Sequence, residues 1–246
     1  VITPIEIKVN LDTDVAVALR RLGCGPDTAD VRDIWFAEPD SAGSPALLSG
    51  RIVIRLRSGA EDDLTVKLRP CTPAQLSGRW ARPFLDEGVR YRIERDWCSP
   101  LRMLSASAIS GWPAGSLRDC VERGVDVTEA LATAQRQFLV SCTPPGVAVD
   151  RLRARGPVHA LRWTGVALGG LCVDVERWRI ADLDLLELAV KITAAPHDSP
   201  VGPHLRAAAA QQRLLDAVHA LGLTPATGST KTERALAASA RARPGS

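Results

Sequence analysis

Glu6 and Lys8 share one face of the stretch IEIKV, and Ile5, Ile7 and Val9 occupy the other. A half-buried strand alternates in this way, and for a single strand the polar face needs nothing but water. The pattern recurs along the chain. In SGRIVIRLRSGAEDDLTVKLRP, Arg51, Arg55 and Arg57 alternate with Ile52, Ile54 and Leu56, and Thr65, Lys67 and Arg69 alternate with Leu64, Val66 and Leu68. In GVRYRIERDW, Arg90, Arg92, Glu94 and Asp96 share a parity opposite to Tyr91 and Ile93. Asp174 and Glu176 share a face of GLCVDVERWRI, and in LDLLELAVKI Glu187 and Lys191 oppose Leu186, Leu188, Val190 and Ile192, with Ala189 between them. Arginines and lysines on facing strands offer bidentate and point-charge contacts to phosphate oxygens, and clustered carboxylates supply hard oxygen ligands for Mg²⁺ or Mn²⁺.

The elements that must position these side chains are strands first. About seven strands carry a charged and an apolar face, and one geometry satisfies both. The antiparallel sheet closes into a barrel, helices outside bury the apolar parity, and the charges line the interior. A dry interior of that kind is too costly, so the barrel is expected to be a tunnel holding water, metal and an anionic ligand. The expected class is α+β, a closed antiparallel barrel with helices packed outside. DTDVAVALRRLG reads as a first helix stopped by Gly23, HLRAAAAQQRLLDAVHALGL as a long helix ended by Gly222, and STKTERALAASARA as a last helix capped by Ser229. LRMLSASAISGW lacks a pattern, and the next segments look helical, so residues from about 98 to 157 read as a helical insertion between two halves of the sheet. Residues 1–236 then form one domain and 237–246 a frayed tail.

Composition narrows the function classes. The 246 residues are 46% hydrophobic, ample for a core, and no apolar run reaches membrane-spanning length. The N-terminus has neither the basic start nor the apolar stretch of a signal peptide, so the expectation is a cytoplasmic protein without a membrane partner. The 31 basic and 28 acidic side chains leave a net charge of +3, which does not point to nucleic acid. Six scattered cysteines form no CxxC pair, and four histidines form no HExxH pattern, so a metal would be held by carboxylates. Of the six tryptophans, Trp35, Trp163 and Trp178 lie on strands, where packing or a tunnel rim is expected, while Trp97 and Trp112 flank the insertion and are candidates to touch an organic moiety at the tunnel mouth.

The order of these motifs resembles the CYTH superfamily, the triphosphate tunnel metalloenzymes, which include class IV adenylate cyclases, thiamine triphosphatases and inorganic triphosphatases. Glu6-Ile7-Lys8 resembles the end of an N-terminal ExExK signature, Arg55-Leu56-Arg57 an RxR strand, Leu64-Thr65-Val66-Lys67 the lysine strand after it, and Arg92-Ile93-Glu94-Arg95-Asp96 a later ExE-like strand. Arg162 falls where a phosphate-binding arginine is usual, Asp174 and Glu187 where late metal-binding acids are usual, and Ser229-Thr230-Lys231 is similar to a closing SK segment. The resemblance implies phosphate binding by Lys8, Arg55, Arg57, Lys67, Arg162 and Lys231, with Arg69 and Arg92 adding to the basic wall by shared parity. Lys8, Arg55, Arg57 and Lys67 form the implied catalytic set. It implies Mg²⁺ or Mn²⁺ on Glu6, Glu94, Asp96, Asp174 and Glu187. Two positions depart from the pattern: Pro4 replaces the first acid of ExExK, and Ala189 replaces the second acid of the C-terminal ExE. Glu187 is also placed to pair with Lys191 instead of a metal.

The activity implied is metal-dependent hydrolysis of a phosphoanhydride in a triphosphate or other organic polyphosphate. A cyclase or lyase expelling diphosphate, and a tunnel that binds polyphosphate or nucleotide without turnover, are the alternatives. The expected partner is a phosphorylated small molecule, and a homodimer is compatible with the sequence.

Overall fold

Why apolar and charged residues alternate so persistently is answered by how the strands pair. The computed structural model describes residues 3–40, 45–193, 198–199 and 201–241. In chain order the elements are β1 (Ile5–Leu11), α1 (Val15–Leu22), β2 (Asp30–Pro39), α2 (Ala46–Ser49), β3 (Ile52–Ser58), β4 (Asp62–Cys71), β5 (Phe84–Asp86), β6 (Val89–Cys98) and β7 (Leu101–Trp112). They continue with α3 (Ser116–Glu122), α4 (Val127–Ala130), α5 (Thr133–Cys142), β8 (Leu152–Leu168), β9 (Leu171–Ile180), β10 (Leu183–Ile192), α6 (Gly202–Ala220) and α7 (Lys231–Arg241). The sheet order is β1-β10-β9-β8-β2-β3-β4-β7-β6-β5, and β1 also pairs with β6, so nine strands form a ring with β5 as a flanking strand. The expected closed barrel is present. Its one departure from antiparallel pairing is β1 with β6, which run parallel over Ile5↔Arg95 to Lys8↔Cys98. A ring of strictly alternating directions needs an even number of strands, so a nine-membered one must contain a parallel pair.

Two cores lie on the outer face. One gathers Ile52, Ile54 and Leu56 of β3 and Leu64, Val66 and Leu68 of β4 with Leu117 of α3, Val127 of α4 and Phe138 of α5. Gln135 of α5 is fully buried, and its amide donates to the carbonyls of Leu64 and Ala108 at 2.8 and 3.0 Å, fastening that helix to β4 and β7. The other gathers Ile5, Ile7 and Val9 of β1, Val173 and Val175 of β9, and Leu186 and Leu188 of β10 under α1 and α6. Helix α1 forms as its sequence suggests: the Asp14 carboxylate accepts the Val17 N–H at 2.9 Å, and Gly23 closes it at φ 69°.

A third core lies on the opposite, interior parity. Ile34 and Phe36 of β2, Val158 and Ala160 of β8, Trp178 and Ile180 of β9, and Leu185 of β10 pack with Ala235, Leu236 and Ala238 of α7. Ile34 and Phe36 alternate with Trp35 and Ala37 of one outer core, and Leu185 is followed by Leu186 of the other, so α7 sits across one end of the barrel and makes that end of the lumen apolar. Helix α7 begins with a capping box in which the Thr230 hydroxyl and N–H donate to Glu233 at 2.9 and 2.7 Å and the Glu233 N–H returns to the Thr230 oxygen at 3.3 Å. Thr230, and not Ser229, is therefore the cap. The helix runs on through Arg241 with Ala238 buried, so the segment read as a tail from 237 is helical to 241, and 242–246 lie outside the described residues.

The region read as a helical insertion from 98 to 157 differs at its start. Leu101–Trp112 is a barrel strand, β7, paired to β4 on one side and β6 on the other. Its run of Ser and Ala on both parities hid the alternation, because small side chains fit both the core and the lumen. The helical segment is confined to Ser116–Cys142. The β4 start was hidden in the polar run SGAEDD, which reads from sequence as the turn of a hairpin: Asp62 is buried and accepts the Leu117 N–H at 2.9 Å at the first turn of α3. No described helix is long and apolar enough to cross a membrane.

Candidate functional site

The interior parity of the barrel carries the charges in two groups. The first surrounds Asp96, which is 0% exposed on β6. Its carboxylate accepts from Lys67 of β4 at 3.0 Å and Lys8 of β1 at 3.3 Å, with Arg69 at 3.6 Å. Burial works against the charge on Asp96, but Lys67, Lys8 and Arg69 outweigh it and hold the carboxyl far below the usual range. Burial also opposes the charge on Lys8, yet Asp96, Glu6 and Glu187 push its ammonium above the ordinary lysine value. Lys67 goes the other way. Burial, Lys8 and Arg69 together outweigh Asp96 and bring it down to about 8. Glu6 lies 2.8 Å from Lys8, and Glu94 lies 2.6 Å from Lys191 of β10 and 3.6 Å from Arg92.

The second group is built on β3, β8, β9 and β10. Glu176 and Glu187 are cross-strand neighbours in the β9–β10 register. Lys231, at the start of α7 and 5% exposed, donates to Glu176 at 2.5 Å, lies 3.1 Å from Glu187, and places its ammonium 4.1 Å from the Trp178 ring centroid. Burial disfavours the Glu176 charge, but Lys231, Trp178 and Arg55 bring its carboxyl down to about 2. Arg57 pairs with Asp63 at 2.8 Å, and Arg162 with Asp174 at 2.6 Å. The buried Nε of Arg55, like that of Arg92, finds no hydrogen-bond acceptor, and burial beside Arg57 brings the Arg55 guanidinium down to about 10. Arg32 of β2 joins this wall, with burial, Arg57 and Arg162 all acting against its charge.

The strand alternation thus places seven of the eight expected phosphate-binding residues on the barrel interior, and α7 brings in Lys231, but they are not in equivalent states. Lys8, Lys67 and Arg69 converge on Asp96, Arg55 and Arg57 lie side by side, and Arg92 leans on Glu94. Arg162 is taken up by Asp174, and Lys231 by two carboxylates. The five acids expected to hold metal do not form one group: Glu6 and Asp96 are cross-strand neighbours that share Lys8, and Glu94, Asp174 and Glu187 each face a lysine or arginine elsewhere. Among the described residues no three His, Cys, Asp or Glu side chains are grouped as a metal shell. Glu187 is an ion-pair partner, though of Lys231; Lys191 goes to Glu94.

Arg32 and Asp63 did not show in the sequence, since β2 carries Ile34 and Phe36 on the parity of Arg32, and Asp63 sat in an apparent turn. The parity of β9 did mark Glu176. Trp97 does not reach the lumen. It packs in the outer core with Arg102 stacked 4.0 Å from its ring centroid, and Trp112 borders the other outer core.

A closed nine-strand barrel with helices outside and a charged interior is the fold expected from the motif resemblance. Among solved structures the chain is similar to a candidate adenylyl cyclase from Hippeastrum that has a dominant triphosphatase activity, at 15% identity over 92% of both chains with a TM-score of 0.54. It is also similar to a candidate adenylate cyclase from Bacillus halodurans, at 13% identity over 94% of this chain and 96% of the other with a TM-score of 0.55. No protein-family model and no curated protein matches the sequence. Identities this low establish a shared fold, and the chemistry must be argued from the residues.

Proposed function

We propose that this chain takes the triphosphate group of an inorganic or organic polyphosphate into its tunnel and hydrolyses a phosphoanhydride bond there. The observation that carries the reading is Arg55, a cation inside the barrel whose Nε lacks an acceptor, next to Arg57 and facing Arg92. An anion with several oxygens relieves that cost, and a triphosphate carries the charge to engage Arg55 and Arg57 together with Lys67 and Lys8. Phosphoryl transfer relies mainly on positioning and on stabilising charge over the phosphate oxygens, and these basic residues supply both. Lys8 and Lys67, held by Asp96, would grip one end of the ligand; Arg55 and Arg57 would grip the other. The triphosphatase activity of the Hippeastrum protein is the precedent for hydrolysis on this fold.

The Mg²⁺ or Mn²⁺ implied by the motif resemblance fits this donor set poorly. Pro4 and Ala189 remove two oxygen ligands, and cations already occupy the carboxylates that remain. The same observation favours a second reading, in which the tunnel binds polyphosphate without turnover. Titration calorimetry with tripolyphosphate, together with phosphate release from tripolyphosphate, thiamine triphosphate and ATP, tests both. Binding weakened at least about tenfold in Arg55→Ala, with release abolished, supports the enzyme. Binding without release selects the second reading, and absence of binding refutes both.

A further inference from the structure

Two carboxylates directly opposite each other on adjacent strands repel, and the interior of a barrel offers little water to screen them. Glu176 and Glu187 are such a pair, facing the lumen of β9 and β10. Their arrangement demands a cation between them. The chain provides one from elsewhere in the sequence. Lys231 reaches in from the first turn of α7, 2.5 Å from Glu176 and 3.1 Å from Glu187, with the face of Trp178 beneath its ammonium at 4.1 Å. An ammonium has three N–H donors, and two carboxylates and an aromatic face satisfy all three. The apolar packing of Ala235, Leu236 and Ala238 against Phe36, Trp178 and Leu185 anchors the helix that carries it.

We infer that Lys231 is a built-in cation that takes the place of a divalent metal ion at Glu176 and Glu187, so that this tunnel binds its polyphosphate ligand without metal. The inference deepens the proposed function and rests on it for the ligand, but the occupancy of the carboxylate pair is a separate matter. A metal ion entering there would have to expel a buried ammonium from two ion pairs, at a site where Ala189, in register with both Lys8 and Asp174, adds no oxygen. The other lumen acids are no freer, since Asp96 alone is shared by Lys8, Lys67 and Arg69. Lys231 is a positioning residue in this scheme: it offsets part of the charge of the two ionised carboxylates and fixes the wall against which the ligand lies.

Two measurements test this on the 246-residue chain. The first is a Mn²⁺ titration followed by the loss of the free-ion electron paramagnetic resonance signal, without phosphate. The wild-type protein is expected to bind no Mn²⁺ at millimolar concentration, whereas Lys231→Met, with Glu176 and Glu187 released, is expected to bind one ion that Lys231→Met combined with Glu187→Gln does not. Binding of Mn²⁺ by the wild type that is lost in Glu187→Gln overturns the inference, and this readout stands even if Lys231→Met fails to fold. The second is calorimetry of tripolyphosphate binding in EDTA and in Mg²⁺, corrected for the Mg²⁺ complex of the free ligand. Affinities within about twofold support the inference, and a loss of about tenfold or more in EDTA overturns it. Absence of binding in both buffers refutes the triphosphate reading alone, and the Mn²⁺ titration still decides what occupies the carboxylate pair.

Discussion

Lys67 and Glu176 are the residues through which pH should act. Lys67 has a folded value of about 8, below the ordinary 10.5, so between these values the unfolded chain binds more protons and the Lys67 contribution to stability rises with pH. Ligand binding runs in the opposite direction, because the ammonium that would grip phosphate is lost above about 8. Tripolyphosphate affinity should therefore fall from about pH 7 to about pH 9, and Lys67→Arg, which keeps its charge, should flatten the fall. Calorimetry across that range checks it, and a wild-type affinity that does not change would count against a role for Lys67. Glu176 is depressed to about 2 from 4.5, so its stabilising contribution is complete above 4.5 and disappears as pH falls toward 2. Urea unfolding through that window should show a shallower pH dependence for Glu176→Gln than for the wild type. That these residues face the lumen was legible in the alternation of VDVERW and TVKLR. That one is raised in acidity by a lysine 55 positions away was not, because Lys231 reaches Glu176 only through the docking of α7.

Among the elements, α7 carries the most consequence for its length. Its leucine, Leu236, is 2% exposed against the interior faces of β2, β8, β9 and β10. Leu236→Ala should cost about 2 to 5 kcal/mol, read by urea unfolding with Trp178 among the fluorescent reporters. Val140→Ala on α5, where the side chain is 82% exposed, should stay within about 0.5 kcal/mol of the wild type. Equal effects at the two positions would mean that α7 is not docked as described. Helices with strong caps and strands with strict alternation were readable in advance, as α1 and β3 show. Strand β7 was not readable, because Ser105, Ala106, Ser107 and Ala108 present no apolar and polar contrast. Its identity comes from pairing on both edges, which is a tertiary fact. Gly156 shows another such constraint. At φ 142° it passes the β2–β8 bulge with the Ile34 carbonyl 2.8 Å from where a Cβ would stand, so only glycine fits there.

For the whole molecule, closure of the ring makes the outer cores and the lumen parts of one structure. The short parallel pairing of β1 with β6 joins the two outer cores, since β1 belongs to one and Tyr91 of β6 to the other. Unfolding should therefore be one cooperative transition, with far-ultraviolet circular dichroism and tryptophan fluorescence reporting the same urea midpoint. Separate midpoints would show that the two outer cores melt independently and that the closure is weak. The sequence by itself determined which faces of β1, β3, β4, β6 and β10 are charged and that the sheet must close to accommodate them, because a two-residue period is a local property that burial enforces strand by strand. Only the tertiary structure decided how those charges are spent. Whether a carboxylate is free for a metal or held by a lysine depends on which distant strands and helices meet across the lumen. The ring of nine and the docked α7 bring Lys231 to Glu176 and Glu187, and Lys8, Lys67 and Arg69 to Asp96, and leave Arg55 facing the tunnel without an acceptor for its Nε.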